Sequence, residues 1–451
     1  MQIGFHGAAR TVTGSKYLLT LDHYRLLVDC GLFQGGFEMH QRNWKGLPFR
    51  ASSVDDVLFT HAHIDHTGYF PRLAADGFSG RAFATPPTKA LLGVLLPDSG
   101  GLQEEEARWA NKKGYSRHQP ARPLYTEEDA NRSLALLNKL EFERETPLHK
   151  HLKVTLHRAG HILGAAGVRL EVGGRSIRFT GDLGRAEDPV MHSPRPLEPA
   201  DVLVMEATYG DRLHSETDVA EVLADVITRV TTKGGVVLIP AFAVGRTETV
   251  LYFLSKLLRA GRIPRVPIYL NSPMAVDAAE IYRGYPQEHR LDRDELRRMY
   301  ELPTLVRDAD ESRLLNLRGG PMIILSASGM LTGGRILHHL VSYGGDRRNA
   351  IILTGYQAGG TRGSALLAGE RTLRIFGEDV PIEAEVVSID GLSAHADADE
   401  LVDWVAACPE PPEVVYPVHG ERQASDALRA RLSHSLGLDV RIPEHLQRVR
   451  V

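Results

Sequence analysis

The stretch FTHAHIDHTGYF (59–70) places three histidines and an aspartate within six positions, directly after an apolar run: His61, His63, Asp65 and His66. A single histidine at such a place is ordinarily a core or surface residue. Imidazoles and a carboxylate at this spacing instead match the ligand types of Zn²⁺, or of Mn²⁺ and Fe²⁺, rather than those of Ca²⁺ or Mg²⁺. The stretch therefore predicts a metal site.

Further donors lie in loops that follow apolar runs elsewhere in the chain. The loops are AGHILGAAG (159–167), TGDLG (180–184) and VHGE (418–421), and they contribute His161, Asp182 and His419. Open α/β sheets gather such strand-end loops at one edge, so we expect the seven donors to lie together. Because one ion takes about four or five ligands, seven donors indicate two ions that share a carboxylate.

Strands must position these loops. Apolar runs rich in β-branched residues end at such loops, as in YRLLVDCG (24–31), VDDVLFTHAH (54–63), SIRFTGDLG (176–184) and DVLVMEATYG (201–210). This pattern is typical of buried strands. The early runs have no long helical pattern between them, which predicts a mixed sheet.

The middle of the chain has a different pattern. Apolar strand patterns alternate there with helical ones, in GGVVLIPAF (234–242), RTETVLYFLSKLLRAG (246–261), VPIYLNSP (266–273), PMIILSASGM (321–330), GGRILHHLVSYGG (333–345) and AIILTGYQAGG (350–360). Strand–helix–strand units predict a parallel sheet flanked by helices. Because strands followed by His/Asp loops then return, we predict one domain, residues 1–208 and 377–451, interrupted by a second, residues 209–376.

The composition bounds the class of protein. The 451 residues are 43% hydrophobic and 24% charged, which is typical of a globular chain of two or three domains. Two cysteines give no disulfide framework, and neither a signal peptide nor a membrane-spanning apolar run is visible. We therefore expect a soluble, cytoplasmic protein with no membrane partner.

The charge distribution bears on nucleic-acid binding. The net charge of −4 gives no global indication of it. Residues 209–376, however, hold 22 Lys+Arg against 18 Asp+Glu, and 20 of the 22 are arginines, which suit bidentate phosphate contacts. A surface rich in salt bridges is the alternative.

On these residues the chain resembles the metallo-β-lactamase superfamily, and within it the β-CASP nucleases. VDCG with Asp29, HAHIDH, GH and GD are similar to the superfamily motifs, and Glu206 in MEATYG, His395 in SAHAD and His419 in VHGE to the β-CASP motifs. PAFAVGR, NSPMA, SASGM and TGYQAGGTRG resemble bacterial and archaeal relatives of the nuclease subunit of the mRNA cleavage and polyadenylation machinery. The resemblance implies an α/β fold: a metallo-β-lactamase αββα sandwich with an inserted β-CASP domain.

The resemblance also implies a role for each motif residue. One Zn²⁺ would be held by His61, His63 and His161, a second by Asp65, His66 and His419, and Asp182 would bridge them. His395 would be the general acid that protonates the leaving 3′ oxygen, while Glu206 would orient it and favour its imidazolium form. Asp29 would fix a ligand loop from behind. We count Asp65, Glu206 and His395 as the catalytic residues.

The last motif bears on the substrate. Members that act on RNA carry histidine there and DNA-repair members valine, so His419 favours RNA, which we expect to be single-stranded. The resemblance also implies products with a 5′-phosphate and a 3′-hydroxyl. The chain begins at the first catalytic strand and ends soon after the last motif, without the accessory domains of some relatives. We therefore expect mainly endonucleolytic cleavage. Members of the family are often dimers, so we regard a homodimer as possible.

Phosphate binders are expected at glycine-rich turns and helix starts. SASGM is interpreted as opening a helix whose N–H groups contact a phosphate, and a guanidinium begins the helix after PAFAVG, where a structural salt bridge is the alternative. The candidates are Arg246, Ser328, Gly329, Ser393 and Tyr209.

Three alternatives differ in class. A lactonase- or thioesterase-like metallohydrolase would share the ligand motifs but gives no role to Glu206, His395 or the inserted domain. A nucleic-acid-binding protein with structural metals would need closed four-ligand sites without water. A DNA nuclease is disfavoured by His419. We therefore predict a zinc-dependent ribonuclease in which a hydroxide activated by two metals attacks phosphorus.

Overall fold

The computed structural model describes residues 1–114, 116, 118–215 and 217–451. Its strands, in chain order, are β1 (Gln2–Phe5), β2 (Tyr17–Leu21), β3 (Tyr24–Val28), β4 (Asp56–Leu58), β5 (Arg81–Ala84), β6 (Leu137–Lys139), β7 (Thr146–His149), β8 (Leu152–Arg158), β9 (Ala166–Val172), β10 (Arg175–Phe179), β11 (Val202–Glu206), β12 (Val236–Pro240), β13 (Ile268–Leu270), β14 (Thr304–Leu305), β15 (Met322–Ser326), β16 (Ala350–Leu353), β17 (Thr372–Ile375), β18 (Glu378–Pro381), β19 (Glu385–Ser388), β20 (Val414–Val418) and β21 (Arg448–Arg450).

The α-helices are α1 (Phe37–Trp44), α2 (Ile64–Thr67), α3 (Phe70–Ala75), α4 (Pro86–Lys113), α5 (Glu127–Leu134), α6 (Val219–Thr232), α7 (Arg246–Arg259), α8 (Pro273–Gly284), α9 (Arg293–Glu301), α10 (Ala309–Asn316), α11 (Arg335–Tyr343), α12 (Arg362–Leu367), α13 (Ala398–Ala406) and α14 (Arg422–Leu436). Short 3₁₀ turns cover Ala51–Ser53, Pro286–Glu288 and Asp390–Leu392. In the part of the chain that the structure describes, no helix combines the length and the apolar character needed to cross a membrane.

The chain forms two units, one of Met1–Leu213 with His395–Val451 and one of His214–Ala394. The sequence places the junctions at 208/209 and 376/377. The second junction lies later in the structure because β19 pairs in parallel with β16 and so belongs to the sheet of the inserted unit.

The first unit contains two sheets that face each other across a shared core. One has the strand order β21-β1-β2-β3-β4-β5-β6 and is mixed, as predicted, and the other has the order β20-β11-β10-β9-β8-β7. Rings from both sheets meet in the core, where Tyr17 lies 5.8 Å from Phe179 and Phe5 lies 5.5 Å from Tyr416. The apolar surface that the two sheets bury on each other is the main favourable contribution to this core.

Helices cover the outer faces of this sandwich. Leu401 of α13 and Leu428 of α14 pack against Leu203 and Met205 of β11. On the other side, α3, α4 and α5 pack together, and α4 contacts β6. The layers are therefore helix, sheet, sheet and helix, and the predicted αββα fold is confirmed.

The inserted unit contains a sheet with the order β14-β13-β15-β12-β16-β19, in which each neighbouring pair is parallel. Both α6 and α11 contact the central strand β12. The predicted parallel sheet flanked by helices is thus confirmed. One detail differs: the helix after SASGM begins only at Arg335, because a glycine-rich turn intervenes.

Candidate active site

Parallel strand pairing brings the predicted donor loops to one edge of the sandwich. Val28 of β3 pairs with Leu58 of β4, so the loops that begin at Asp29 and Phe59 leave the sheet side by side. In the second sheet, β10, β11 and β20 run parallel, and Glu206 pairs with Val418. The loops after these strands carry Asp182, Glu206 and His419. The sites predicted far apart in the sequence are therefore neighbours.

A first group of donors consists of His61, His63, His161 and Asp182, whose ligand atoms all lie within 4.8 Å of one another. His63 Nδ1 lies 3.1 Å from His61 Nε2 and 3.3 Å from His161 Nε2. Asp182 Oδ2 lies 3.4 Å from His61 Nε2 and 3.6 Å from His161 Nε2.

A second group consists of Asp65, His66 and His419, again within 4.8 Å of one another. Asp65 Oδ2 lies 3.2 Å from His419 Nε2 and 4.0 Å from His66 Nε2. The carboxylate of Asp182 reaches this group as well, since its Oδ1 lies 3.2 Å from His66 Nε2 and 3.5 Å from His419 Nδ1. Asp182 therefore lies between the two groups.

The donor spacing fits transition-metal ligation. Two nitrogens bound to tetrahedral zinc at about 2.0–2.1 Å lie roughly 3.3 Å apart, which matches the separations in the first group. Burial lowers the pKa of His63 to about 4 and holds the pKa of His61 well below its ordinary value. Both imidazoles are therefore neutral near neutral pH, as ligation requires. Burial opposes the ionisation of Asp182, but the nearby His419 and His66 outweigh burial and hold its pKa well below the ordinary range.

A buried acid–imidazole pair adjoins the first group. His395 Nδ1 lies 3.1 Å from Glu206 Oε1 and 3.2 Å from Oε2. Burial disfavours the His395 imidazolium, but the carboxylate of Glu206 outweighs burial and raises the pKa of His395. The Glu206 side chain is 0% exposed and that of His395 15% exposed, and the His395 ring lies 4.4 Å from that of His161. The pair can therefore present a protonated imidazole beside the candidate metal ligands.

Backbone groups hold Glu206 in place. The N–H of Leu183 donates to Glu206 Oε1 at 2.6 Å, and the N–H of Thr208 donates to Oε2 at 3.3 Å. Its own N–H donates to Thr180 Oγ1 at 3.0 Å. These contacts fix the carboxylate independently of His395.

Asp29 lies behind the second group. Its Oδ2 lies 2.8 Å from His66 Nδ1, and its Oδ1 accepts a hydrogen bond of 2.8 Å from the N–H of Thr60. The backbone of Asp29 has φ 59° and that of His419 has φ 48°. A non-glycine residue at positive φ is uncommon and costs energy, so both loops are held in conformations that the surrounding contacts impose.

Three hydroxyl residues at the site were missed by the sequence analysis. Thr60 Oγ1 donates to Asp29 Oδ2 at 2.9 Å, Ser15 Oγ lies 3.3 Å from His66 Nε2, and Thr208 Oγ1 lies 3.0 Å from His419 Nδ1. Thr60 and Thr208 are each within two residues of a motif position, which is the only signal that the sequence offers for them. Ser15 has no such signal, since its partner is 51 residues away.

Of the phosphate-binding candidates, only Tyr209 lies in the first unit. It is buried, its ring lies 6.1 Å from that of His395, and the guanidinium of Arg212 lies 5.6 Å from its centroid. The proximity of the two rings places Tyr209 beside the Glu206–His395 pair rather than on the open surface.

The other candidates lie in the inserted unit. Arg246 is the first residue of α7 and is 7% exposed, and Ser393 is also buried. Ser328 and Gly329 lie in the turn before α11, so the interpretation that they open a helix is wrong. A Cβ at Gly329 would come within 2.8 Å of the Phe242 ring, so the turn packs closely there.

Arginine ion pairs are frequent in the inserted unit. They include Arg229–Glu385, Arg262–Glu221, Arg307–Asp277, Arg347–Glu383 and Arg374–Asp379. For these residues the salt-bridge alternative holds, and the arginine content of this unit is not by itself a sign of a phosphate surface.

Comparisons with known proteins agree with the geometry. Three family models match the chain. The Beta-lactamase superfamily domain matches residues 24–232, and the Beta-Casp domain matches residues 247–366. The Zn-dependent metallo-hydrolase RNA specificity domain matches residues 379–443. Ribonuclease TTHA0252 of Thermus thermophilus is 38% identical over 436 residues, which cover 95% of each chain.

Archaeal proteins are similar over a comparable length. Transcription termination factor FttA of Pyrococcus horikoshii is 32% identical over 99% of this chain and 70% of its own. An RNase J-like protein of Methanocaldococcus jannaschii is 29% identical over 97% of both chains. A crystal structure of a protein of unknown function from Enterococcus faecalis covers 99% of both chains with a TM-score of 0.52 at 14% identity, a likeness of fold alone.

Proposed function

The chain belongs to the β-CASP group of the metallo-β-lactamase superfamily, and from this premise we propose that it is a zinc-dependent ribonuclease that cuts single-stranded RNA, mainly at internal phosphodiester bonds. The observation that carries the proposal is the Glu206–His395 pair, whose imidazole lies against the ring of the ligand candidate His161. A proton donor beside a two-metal site is what hydrolysis of a bond with a poor leaving group requires.

The seven donors fit two ions. His61, His63 and His161 would hold one, Asp65, His66 and His419 the other, and Asp182 would contact both. When bound, such ions supply Lewis-acid chemistry, since they ionise a water near neutral pH and neutralise charge on a phosphate. Zinc suits this set of imidazoles and carboxylates, and Mn²⁺ or Fe²⁺ would be accepted by the same ligands.

The chain's own residues handle the proton of the leaving group. His395 Nδ1–H donates to Glu206, which leaves the proton on Nε2 for the 3′ oxygen. Because the pKa of His395 is raised by Glu206, the imidazolium is populated at higher pH than in a free histidine. We propose Asp65 as the third catalytic residue, since its carboxylate is 19% exposed whereas that of Asp182 is 2% exposed.

Several observations support RNA as the substrate. The chain has histidine at position 419, where the resemblance associates histidine with RNA, and a model described as an RNA specificity domain matches residues 379–443. Tyr209 beside His395, together with Arg246, Ser328, Gly329 and Ser393, stay our candidates for contacts to the strand. The free cysteines Cys30 and Cys408 fit a reducing compartment, so we also propose a cytoplasmic location.

The test compares RNA with DNA. The purified zinc-loaded protein is incubated with end-labelled single-stranded RNA and with DNA of the same sequence, and the products are resolved by length. Internal RNA cuts with 3′-hydroxyl ends and intact DNA are expected. If the only products are mononucleotides, the enzyme is an exonuclease and not an endonuclease. Cleavage of the DNA would favour a DNA nuclease. Intact nucleic acid together with hydrolysis of a lactone or thioester would overturn the nuclease proposal.

A further inference from the structure

Helix α1 carries three aromatic rings on its outer face. Phe37 is 60% exposed, Trp44 is 51% exposed, and His40 is also exposed. Positions 37, 40 and 44 follow the helical spacing i, i+3, i+7, so the three rings form one stripe. Seven residues at about 1.5 Å rise give the stripe a length of roughly 10 Å.

The inner face of α1 is anchored to the loop that begins at Asp29. Asn43 accepts a hydrogen bond of 2.9 Å from the N–H of Phe33 and donates one of 2.8 Å to the Phe33 carbonyl. Arg42 lies 5.4 Å from the centroid of the Phe33 ring. The outer stripe is thus presented by a helix whose opposite side is fixed by specific contacts.

The same loop contacts the metal-ligand segment. The N–H of Cys30 donates to the His66 carbonyl at 2.7 Å, and the N–H of Leu32 donates to the Ile64 carbonyl at 2.9 Å. At Gly31 a Cβ would come within 1.6 Å of the Asp65 carbonyl oxygen, so the two segments approach as closely as backbones can. The helix is therefore tied to the segment that carries the ligands.

The sequence around the stripe has a positive balance although the whole chain is acidic. Residues 34–50 hold Arg42, Lys45 and Arg50 against Glu38, a balance of +2, in a chain of net charge −4. The neighbouring C-terminal segment 439–451 holds three arginines against Asp439 and Glu444, a balance of +1, and Arg441 is paired with Asp439 at 2.5 Å. The two segments meet where the His445 ring lies 6.0 Å from that of Phe33.

We infer that Phe37, His40 and Trp44 form a stacking surface, which with the adjacent basic residues binds the bases and phosphates of a single-stranded RNA that extends from the active site. The inference rests on the proposed function. Exposed rings in a basic setting are what sequence-independent single-strand binding uses, because every base has a π-face and every linkage a phosphate. The surface increases the affinity of the enzyme for long strands and takes no part in the chemistry.

The test uses Trp44→Ala, and the chain offers a matched control. Trp109 on α4 is 46% exposed, but the ammonium of Lys112 lies 5.0 Å from the centroid of its ring and so occupies that ring, while Glu105 and Glu106 lie on the preceding turn of the same helix. Initial rates of wild type, Trp44→Ala and Trp109→Ala are measured on single-stranded RNA of about 4 and about 16 nucleotides, the range of sites in single-strand binders. Both variants are also compared by circular dichroism, since both residues are exposed and the fold should be unchanged.

A KM increase of about fivefold or more is expected for Trp44→Ala on the longer RNA, with kcat unchanged, which is the low end of what one stacked base contributes. KM on the short RNA, and both constants of Trp109→Ala, should stay at the wild-type values. Lys45→Glu should raise KM on the longer RNA and reduce its salt dependence.

Each opposite result has a distinct meaning. If Trp44→Ala matches Trp109→Ala on both lengths while the wild type cleaves RNA, the stacking surface is refuted and the proposed function stands. If Trp44→Ala leaves both kinetic constants unchanged but converts a dimer into a monomer, a second copy of the chain occupies the surface and the inference is again wrong. If the wild type cleaves no RNA, the proposed function itself fails.

Discussion

Replacing His395 by alanine tests whether this residue acts as the proposed general acid or instead as a metal ligand. The imidazole lies 3.1 Å from Glu206, and the same pair together with Asp182 has the spacing of a ligand group. The substitution leaves Glu206 buried, but its carboxylate keeps the hydrogen bonds from the N–H groups of Leu183 and Thr208. We therefore expect the variant to fold and to bind zinc as the wild type does.

The size of the effect depends on the leaving group. Loss of a positioned general acid costs about 10²–10⁴ in rate, or about 3–5 kcal/mol of barrier. A 3′ alkoxide leaves poorly without a proton, so RNA cleavage should show this full loss. A p-nitrophenolate leaves as a stable anion, so hydrolysis of bis(p-nitrophenyl) phosphate should lose little when His395 is removed. The ratio of the two losses measures the proton transfer itself.

The assay records kcat on both substrates for wild type, His395→Ala, Glu206→Gln and the double variant, with zinc per chain measured alongside. In the proposed mechanism Glu206 acts through His395, so the double variant should be no slower than His395→Ala alone. Equal losses on RNA and on the activated ester would refute the general-acid assignment. A fall in bound zinc in His395→Ala would instead make this residue a ligand.

Three further predictions concern metal binding and stability. Asp29→Asn should weaken zinc binding about 10–100-fold in competition with a chelator, because the contact to His66 fixes a ligand, and unchanged affinity would contradict that role. Asp182→Asn should hold less zinc per chain than wild type, since the carboxylate contacts both donor groups, and full zinc content would argue against two ions sharing it. Burial raises the pKa of Glu248 from 4.5 to about 7, so the folded state binds the proton more tightly and loses stability as pH rises through this range, by about 3 kcal/mol. Glu248→Gln should therefore gain in urea midpoint over wild type between about pH 5 and about pH 8, and a difference independent of pH would refute the assignment.

The grouping of the candidate ligands was predictable because each motif lies directly after an apolar run. HAHIDH follows β4, GD follows β10 and VHGE overlaps the end of β20, so the strand pattern alone indicates a common edge. Parallel pairing then brings the loops together, and the two donor groups in the structure have the membership that the resemblance implies. Local sequence suffices here because the chemistry is concentrated in short segments.

Other features depend on contacts that no local pattern records. Ser15 reaches His66 across 51 residues, and a serine in a loop has no distinguishing neighbours in the sequence. The pattern of β19 resembles that of the first unit, and only its pairing with β16 assigns it to the inserted sheet. The glycines between Ser328 and Arg335 looked compatible with a helix start, but positive φ at Gly334 sets the true beginning of α11.

A single strand register links Glu206 to the last candidate ligand, His419. Glu206 pairs with Val418, so His419 is the residue that follows directly on the neighbouring strand, while His395 reaches the carboxylate from the segment before α13. In a parallel ladder, a slip by one residue would turn the Glu206 side chain to the opposite face of the sheet relative to His419. The inserted unit separates Glu206 from His419 in the sequence, yet the pairing of β11 with β20 brings these two residues next to each other. Glu206 and His419 are therefore positioned by the same backbone hydrogen bonds, and a substitution that weakens this pairing should impair the proposed proton transfer and metal binding together.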